Sequence, residues 1–548
     1  MLALFVSWIV VSLASLVVGS FLFALCNCPN LLARPADRFL SRRYLGMIAI
    51  AGLLLAASLI GPVQTTAGIL VLIVLPAACL LAPSVRRDFL SSLPPRDELL
   101  ALVLIAAAAA AGVSGLVTHH DTGLYHYPMI RWLREYGSVP GLGLFYRRFA
   151  FSSSWFAFSA VFEAGILQGR GVSVLNGLLM TMVLFHLALA LRRYIGGEAH
   201  RGDLLWIGGA PPLVVFSLLQ RFHLSPSPNF AVAAGILHVC WLLAGQNSAA
   251  SRGAALLAAA GAFAVKLTAL PLLIAALLCR LLAQPRRGFP AAAAIAVLVA
   301  MPITLANLRT SGCPFYPSSL FCLAASTSTP PESARAEQVE ILQWARYVGH
   351  YPAGAEYFSL GWIRNWLFHP VNAVATLLAV VGIAGVAWLR AAGISFWIGL
   401  GGAVFVFLTA PDLRFGIGYV VLLPGAFIAA VLERHPWPLR SIRPRLGILA
   451  LLVAACLCLD ALVSQWLYLR RQGDHRPALS FNRLLLPAPL PVIPTITRRS
   501  NDIEYRVPAA GDSCWAAPLP CTPYLPDPAV RLCSPEKSLA GGFCRKVP

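Results

Sequence analysis

The chain has 548 residues, 58% hydrophobic and 12% charged, and its 42 Lys and Arg against 22 Asp and Glu give a formal net charge of +20. A soluble protein carries about a quarter charged residues, so with a mean hydropathy of +0.74 a soluble globular class is excluded. The basic excess does not point to nucleic acid, because much of it is Arg in short loops between apolar runs, as the positive-inside rule expects, and no nucleic-acid-binding motif accompanies it.

Apolar runs of about 17–25 residues match the length a helix needs to cross a bilayer. The short alternating segments of a membrane β-barrel are absent. The expected fold class is therefore an all-α polytopic membrane protein with about 12–14 transmembrane helices. Its first run, Leu2 to Cys26, lacks a basic leader and is followed by Arg34, Arg38, Arg42 and Arg43. That order reads as a retained first helix with its N-terminus outside, not as a cleaved signal.

Further crossings are expected near 45–61, 67–84, 99–117, 174–191, 204–221, 230–246, 253–283 (as a broken pair), 289–307, 370–389, 394–410, 416–432 and 446–468. Basic loops at 34–43, 86–96, 192–201, 252, 286–287, 390 and 434–445 are placed in the cytoplasm. The stretch FSSSWFAFSAVFEAGIL at 151–167 is apolar enough to cross, but a crossing there would put Arg192 outside. It is expected instead as a juxtamembrane or re-entrant helix on the outer interface, with Trp155 and several Phe as interfacial residues.

This topology puts loop 118–173, loop 308–369 and a tail from about 469 to 548 on the outer side, after a polytopic domain spanning 1–468. Cys313, Cys322, Cys514, Cys521, Cys533 and Cys544 all fall there, and an even number in an oxidising compartment reads as disulfides. Closure of Cys313 with Cys322 is local, leaving four cysteines to staple a Pro-rich tail too short for a large core. The alternative, zinc at CWAAPLPC, lacks the tight spacing and nearby His of structural zinc modules. Internal repeats, phosphate loops, dinucleotide fingerprints, HExxH and GxSxG motifs are all absent.

Candidate chemistry concentrates in VTHHDTGLYHYPMIRWLREYG, where Asp121 leaves a membrane helix among His119, His120, Tyr125 and His126. A partly desolvated carboxylate beside imidazoles can act as a general base, with the neighbouring His and Tyr as catalytic partners. The alternative is that Asp121 caps the short helix that follows. Arg131, Arg134, Arg147 and Arg148 lie on the outer side against the charge rule; they either snorkel to headgroups or bind the phosphate of a lipid-linked substrate. Lys266, inside an apolar stretch, is costly there unless it has a partner, such as a lipid phosphate, or lies near a turn. Arg414 in APDLRFGIGY is either a surface partner of Asp412 or a second phosphate ligand. His223 and Asn229 are weaker candidates in a neighbouring turn. With no D-x-D pair in an outer loop, a nucleotide-sugar site with its metal is unsupported, and a sugar used outside must arrive on a lipid.

An acidic residue in the first large outer loop, amphipathic juxtamembrane helices after it, and the lysine of VKLT resemble the GT-C superfamily of polytopic glycosyltransferases. Those enzymes use polyprenyl-phosphate-linked sugars and include the protein mannosyltransferases and the aminoarabinose transferase of lipid A. The resemblance implies a base role for Asp121 and donor-phosphate binding by Lys266 and Arg414, and needs no cofactor; a divalent ion bridging Asp121 and phosphate is the variant. More closely, HDTGLYHYPMIRWLREYGSVPGLGLFYRRFAFSSSWF, SGCPFYPS, APDLRFGIGY and CWAAPLPCTPY resemble a little-characterised family of bacterial polytopic membrane proteins with a GT-C-like plan. Two positions depart from those patterns: Asp121 is followed by Thr122 where the mannosyltransferases have Asp–Glu, and Asn229 stands where an acidic residue is expected.

The implied activity is transfer of a sugar from a polyprenyl-phosphate donor to a glycan, lipid or protein acceptor on the outer face of a bacterial inner membrane. A polysaccharide polymerase or ligase is the second enzyme reading. A lipid or solute transporter is the reading from another class, disfavoured by the scarcity of deep ionisable residues apart from Lys266 and Asp460. A structural scaffold leaves the outer cluster without a reason.

Overall fold

In the computed structural model, residues 1–25, 32–245, 248–283, 288–349, 360–435 and 481–545 are described, together with Val463 and Arg470. Among them, eight helices are long and apolar enough to cross a membrane, or nine if a pair bent by 102° at Thr65–Cys79 and Pro83–Ser91 counts as one span. The expected crossing at 446–468, with Asp460, lies outside the described residues but for Val463.

Two helices open the bundle, α1 (Leu2–Leu25) and α2 (Pro35–Ser58). They touch backbone to backbone: a Cβ added at Gly19 would lie 1.9 Å from the Arg42 carbonyl oxygen, and one at Gly46 would lie 1.8 Å from that of Ser15. Lipid gives no hydrophobic drive for helices to associate, so small residues that permit such approach carry the packing. Next come α3 (Arg96–Val113), α4 (Tyr127–Glu135), α5 (Ser154–Ala160), α6 (Val174–Gly196), α7 (Arg201–Leu219) and α8 (Pro228–Gly245).

At one end of the bundle the basic loops converge. Arg193 pairs with Asp37 at 2.6 Å and Asp203 at 3.1 Å, Arg34 also reaches Asp203, and Arg42 pairs with Asp88. Buried charges persist only when paired in this way. The loops at 34–43, 86–96 and 192–201 thus share one end, as their charge pattern implied.

Helix α9 (Ala249–Val265) stops at Lys266, whose backbone is extended (φ −160°, ψ 138°), and a 3-10 turn at Leu267–Ala269 leads into α10 (Leu270–Leu281). Arg252 donates to the Cys279 carbonyl at 3.2 Å, so α9 and α10 run antiparallel with Lys266 at their turn. The broken pair expected over 253–283 is thus a helical hairpin. The remaining helices used below are α11 (Phe289–Ser311), α12 (Pro331–Arg346), α13 (Pro370–Trp388), α14 (Ile394–Thr409), α15 (Leu413–Val420) and α16 (Leu422–Arg434).

One expectation needs correction. The 151–167 stretch holds the seven-residue α5 and a 3-10 turn at Gly165–Leu167, and does not cross, as expected. Its aromatic side chains are not interfacial: Trp155, Phe156 and Phe158 are at most 2% exposed. Trp155 Nε1 donates to Asn176 Oδ1 at 2.8 Å, while Asn176 Nδ2 faces the carbonyls of Phe222, Ser225 and Ser227, so the segment is plugged into the protein core. The described part of the tail holds a short helix, Phe481–Leu485, and two antiparallel ladders, β1 (Thr495–Ser500) with β2 (Ile503–Pro508) and β3 (Val530–Leu532) with β4 (Phe543–Arg545), which the all-α class did not include.

Of the six loop and tail cysteines, Cys313–Cys322 and Cys514–Cys521 are disulfide-bonded. Cys533, just after β3, and Cys544, within β4, are neighbouring thiols without an S–S bond. The tail packs onto loop 118–173, with Phe543 N donating to the Pro140 carbonyl, Leu490 N to that of Gly169 and Trp515 N to that of Gly123.

Candidate functional site

A π-helical turn, Thr122–His126, joins the segment after α3 to α4. Such turns hold one residue more per turn than an α-helix and occur often at functional sites. Asp121 precedes this turn, and its side chain makes no capping hydrogen bond. The capping account of Asp121 is therefore set aside: the carboxylate turns to other partners.

Arg414 Nη1 reaches Asp121 Oδ2 at 3.2 Å. The same guanidinium donates through Nε to Asp412 Oδ2 at 2.8 Å, and Asp412 Oδ1 caps α15 by accepting from Arg414 N. On its other oxygen Asp121 faces His120 Nδ1 at 3.7 Å, and His120 Nε2 lies 2.9 Å from Asp512 Oδ1 in the tail. Lys266 completes the group from the α9–α10 turn. Its ammonium donates to Asn229 Oδ1 at 2.5 Å and stands 4.1 Å above the Phe415 ring, and among the described residues it has no ion-pair partner. The Arg414 guanidinium lies 5.5 Å from the same ring. An unpaired ammonium held against an aromatic face and an amide oxygen retains donors for an anion.

Electrostatics separates the titrating groups. Burial raises the Asp121 carboxyl, but the adjacent His120 imidazolium and the Arg414 guanidinium outweigh it and hold it well below the usual carboxylate range. His120 is pushed up to about 9, first by the Asp121 carboxylate beside it, against burial, and then by Asp512, so it is an imidazolium at neutral pH. Burial drives His119 down to about 4 and His126 well below the ordinary imidazole value. These two neutral rings stack 5.6 Å apart, and His126 Nδ1, fully buried, has no hydrogen-bond partner among the described residues. Tyr125 lies edge-on to His126 at 4.4 Å, and burial with the Asp121 charge raises its hydroxyl.

The site thus gathers Asp121, His120, Tyr125, His126, Lys266 and Arg414, with Asn229 beside them. The other arginines read as phosphate ligands are engaged elsewhere. Arg131 pairs with Glu135 at 2.6 Å and donates to the Ala517 carbonyl. Arg134 contacts Thr65 Oγ1 and the Ala160 carbonyl. Arg147 and Arg148 each hold Glu340 at 3.0 Å and flank buried Glu337, tying α12 to the 118–173 loop, although the Arg148 charge reaches Tyr125. His223 is buried against the Ser217 carbonyl, outside the group.

Sequence reasoning missed Asp512 and Phe415. Phe415 adjoins Arg414 and was visible as a neighbour; Asp512 lies 392 positions from His120, with no local signal to announce the pairing. No three His, Cys, Asp or Glu side chains among the described residues are arranged to hold a metal ion. Two clefts, lined in part by Ala249, Gly253 and Arg280 and by Arg252, Cys279 and Phe396, sit at the opposite end of α9 from Lys266 and share no residue with this group.

No curated protein and no solved structure matches the chain. A family model described as "Domain of unknown function (DUF8201)" matches residues 1–421, which include Asp121, Lys266 and Arg414 but not the tail, and the chain belongs to that family.

Proposed function

We propose that this protein is a GT-C-like glycosyltransferase that moves a sugar from a polyprenyl-phosphate donor to an acceptor hydroxyl on the outer face of a bacterial cell membrane, in the building of envelope glycans or glycolipids. The observation that carries this reading is the convergence of the Asp121 carboxylate with two basic side chains, Arg414 and Lys266, brought from three distant parts of the chain, the lysine pushed down by burial to about 7 and so made responsive to an anion beside it.

Lys266 supplies an ammonium with donors left over for the donor phosphate, and Arg414 supplies a planar fork suited to its oxygens. Asp121 accepts the acceptor's hydroxyl proton. The acceptor oxygen attacks the anomeric carbon as the bond from that carbon to the phosphate oxygen breaks, with inversion, and the lipid phosphate departs against Lys266 and Arg414. Held by Arg414, Asp121 is a weak base. A phosphate that draws Arg414 toward itself removes that cation and strengthens the carboxylate as a base only when donor is bound.

Mass spectrometry of lipids co-purified with the intact protein tests the reading. Polyprenyl phosphate, with or without sugar, is expected on wild type and on Asp121→Asn, and absent from Lys266→Ala. Bulk phospholipid alone on all three removes the reading and leaves transport as the next assay.

A further inference from the structure

The contact between His120 and Asp512 joins the tail, which lies beyond the family match, to the Asp121 site. Asp512 Oδ1 accepts from His120 Nε2 at 2.9 Å and from Ser513 Oγ at 3.1 Å. The chain just after Ser513 is closed into a loop by the Cys514–Cys521 disulfide. It is seated on the π turn at two further points. Trp515 N donates to the Gly123 carbonyl at 3.0 Å, and the indole lies so close that a Cβ on Gly123 would fall 2.3 Å from its Cε2. Arg131 Nη1 donates to the Ala517 carbonyl from α4.

An exposed His–Asp pair alone is worth little. This one differs because the same imidazole faces Asp121 Oδ1, while Arg414 holds Oδ2. We propose that Asp512 is a positioning residue of the site: acting through His120, it fixes the second side of the Asp121 carboxylate, so the disulfide-closed loop of the tail belongs to the reacting assembly. The inference rests on the transferase reading for its consequence in catalysis. Its structural logic follows from the competition for Arg414. When a donor phosphate takes up that guanidinium, His120 is the partner that still holds Asp121, and Asp512 is what holds His120. The titratable and charged groups that face His120 are Asp121, Asp512 and His119, with Arg414 behind Asp121.

The test uses the full chain in nanodiscs with isotope-labelled histidine, the His120 resonance being assigned by its loss in His120→Gln. In wild type and Asp512→Glu, His120 is expected to titrate near 9. In Asp512→Asn it is expected at least about one pH unit lower. A weaker imidazolium lets the Asp121 carboxyl rise, so the acidic limb of the transfer-rate profile is expected to move to higher pH in Asp512→Asn and to return in Asp512→Glu. A His120 titration and a pH–rate profile in Asp512→Asn that superimpose on wild type overturn the proposal. Should Asp512→Asn not fold, the Cys514→Ser, Cys521→Ser double variant, which opens the loop, must lower the His120 titration in the same direction. Absence of transfer by wild type removes the transferase reading alone, since the His120 titration still decides whether Asp512 acts on it.

Discussion

Arg414 Nη1 and Asp121 Oδ2 lie 3.2 Å apart across 293 positions of sequence, and each keeps a second partner, Asp412 for the arginine and His120 for the aspartate. Each member can therefore lose the other without being left alone. That separates the contribution of this pair to stability from its contribution to chemistry.

Asp121→Asn removes the charge but not the shape. Arg414 retains Asp412, so the cost in stability is expected to be only about 1 kcal/mol, in the range of a partly exposed pair. Sugar transfer is expected to fall about 10²–10⁴-fold, the contribution of a positioned base. Thermal unfolding and turnover of a lipid-linked sugar, measured on the same preparation, check both. Full activity in the variant removes Asp121 from the chemistry.

Lys266→Met replaces an ammonium that has no ion-pair partner among the described residues by an apolar chain of similar length. Stability is expected to hold or rise, as it does when a half-buried unpaired charge is removed, while retention of polyprenyl phosphate is lost. A variant that unfolds at lower temperature and still retains the lipid would show that Lys266 serves the fold.

The docking of the tail is expected to depend on pH. His120 has its folded value raised from 6.5 to about 9, so its contribution is fully present below about 6.5 and is lost as pH rises through 9. Asp121 and Asp512 are held below 3.8, so their contribution is present above that value and is lost as pH falls through their lower folded values. With His120 mostly exposed the effect is expected to stay under about 1 kcal/mol. Proteolysis within 495–545 should be faster at pH 9.5 than at pH 6; equal rates would argue against this account.

Gly123→Ala sets a methyl group against the Trp515 ring, and overpacking of this kind costs about 1–3 kcal/mol. Detachment of the tail loop, read from Trp515 fluorescence and protease access, is expected in Gly123→Ala and relieved in Gly123→Ala with Trp515→Ala. If the second substitution gives no relief, the strain lies in the π turn itself.

Much of the membrane architecture was legible because each apolar run carries its own length signal, and the shared end of the 34–43, 86–96 and 192–201 loops followed from their arginines. The turn at Lys266 was legible for the same local reason, a lysine interrupting an apolar run. The fate of α5 was not: its composition suits lipid and protein interior equally, and the deciding partner, Asn176, lies on another helix. Composition also could not separate Arg131 and Arg134, occupied by Glu135 and Thr65, from Arg414, which meets Asp121. Asp512 had no readable mark at all, since its meaning lies wholly in a contact between opposite ends of the chain.

The five-residue π turn at Thr122–His126 makes this site depend on the number of residues as well as on their kinds. Removing any single residue there would let the turn close into ordinary α geometry. Everything before it would then swing by roughly 100° about the axis relative to α4. Asp121, His120 and His119 would all survive in the sequence, yet the carboxylate would point away from Arg414 and the imidazole away from the tail. Among relatives of this chain, a one-residue gap in that turn is therefore a sharper sign of a dead site than the substitution of most residues in it.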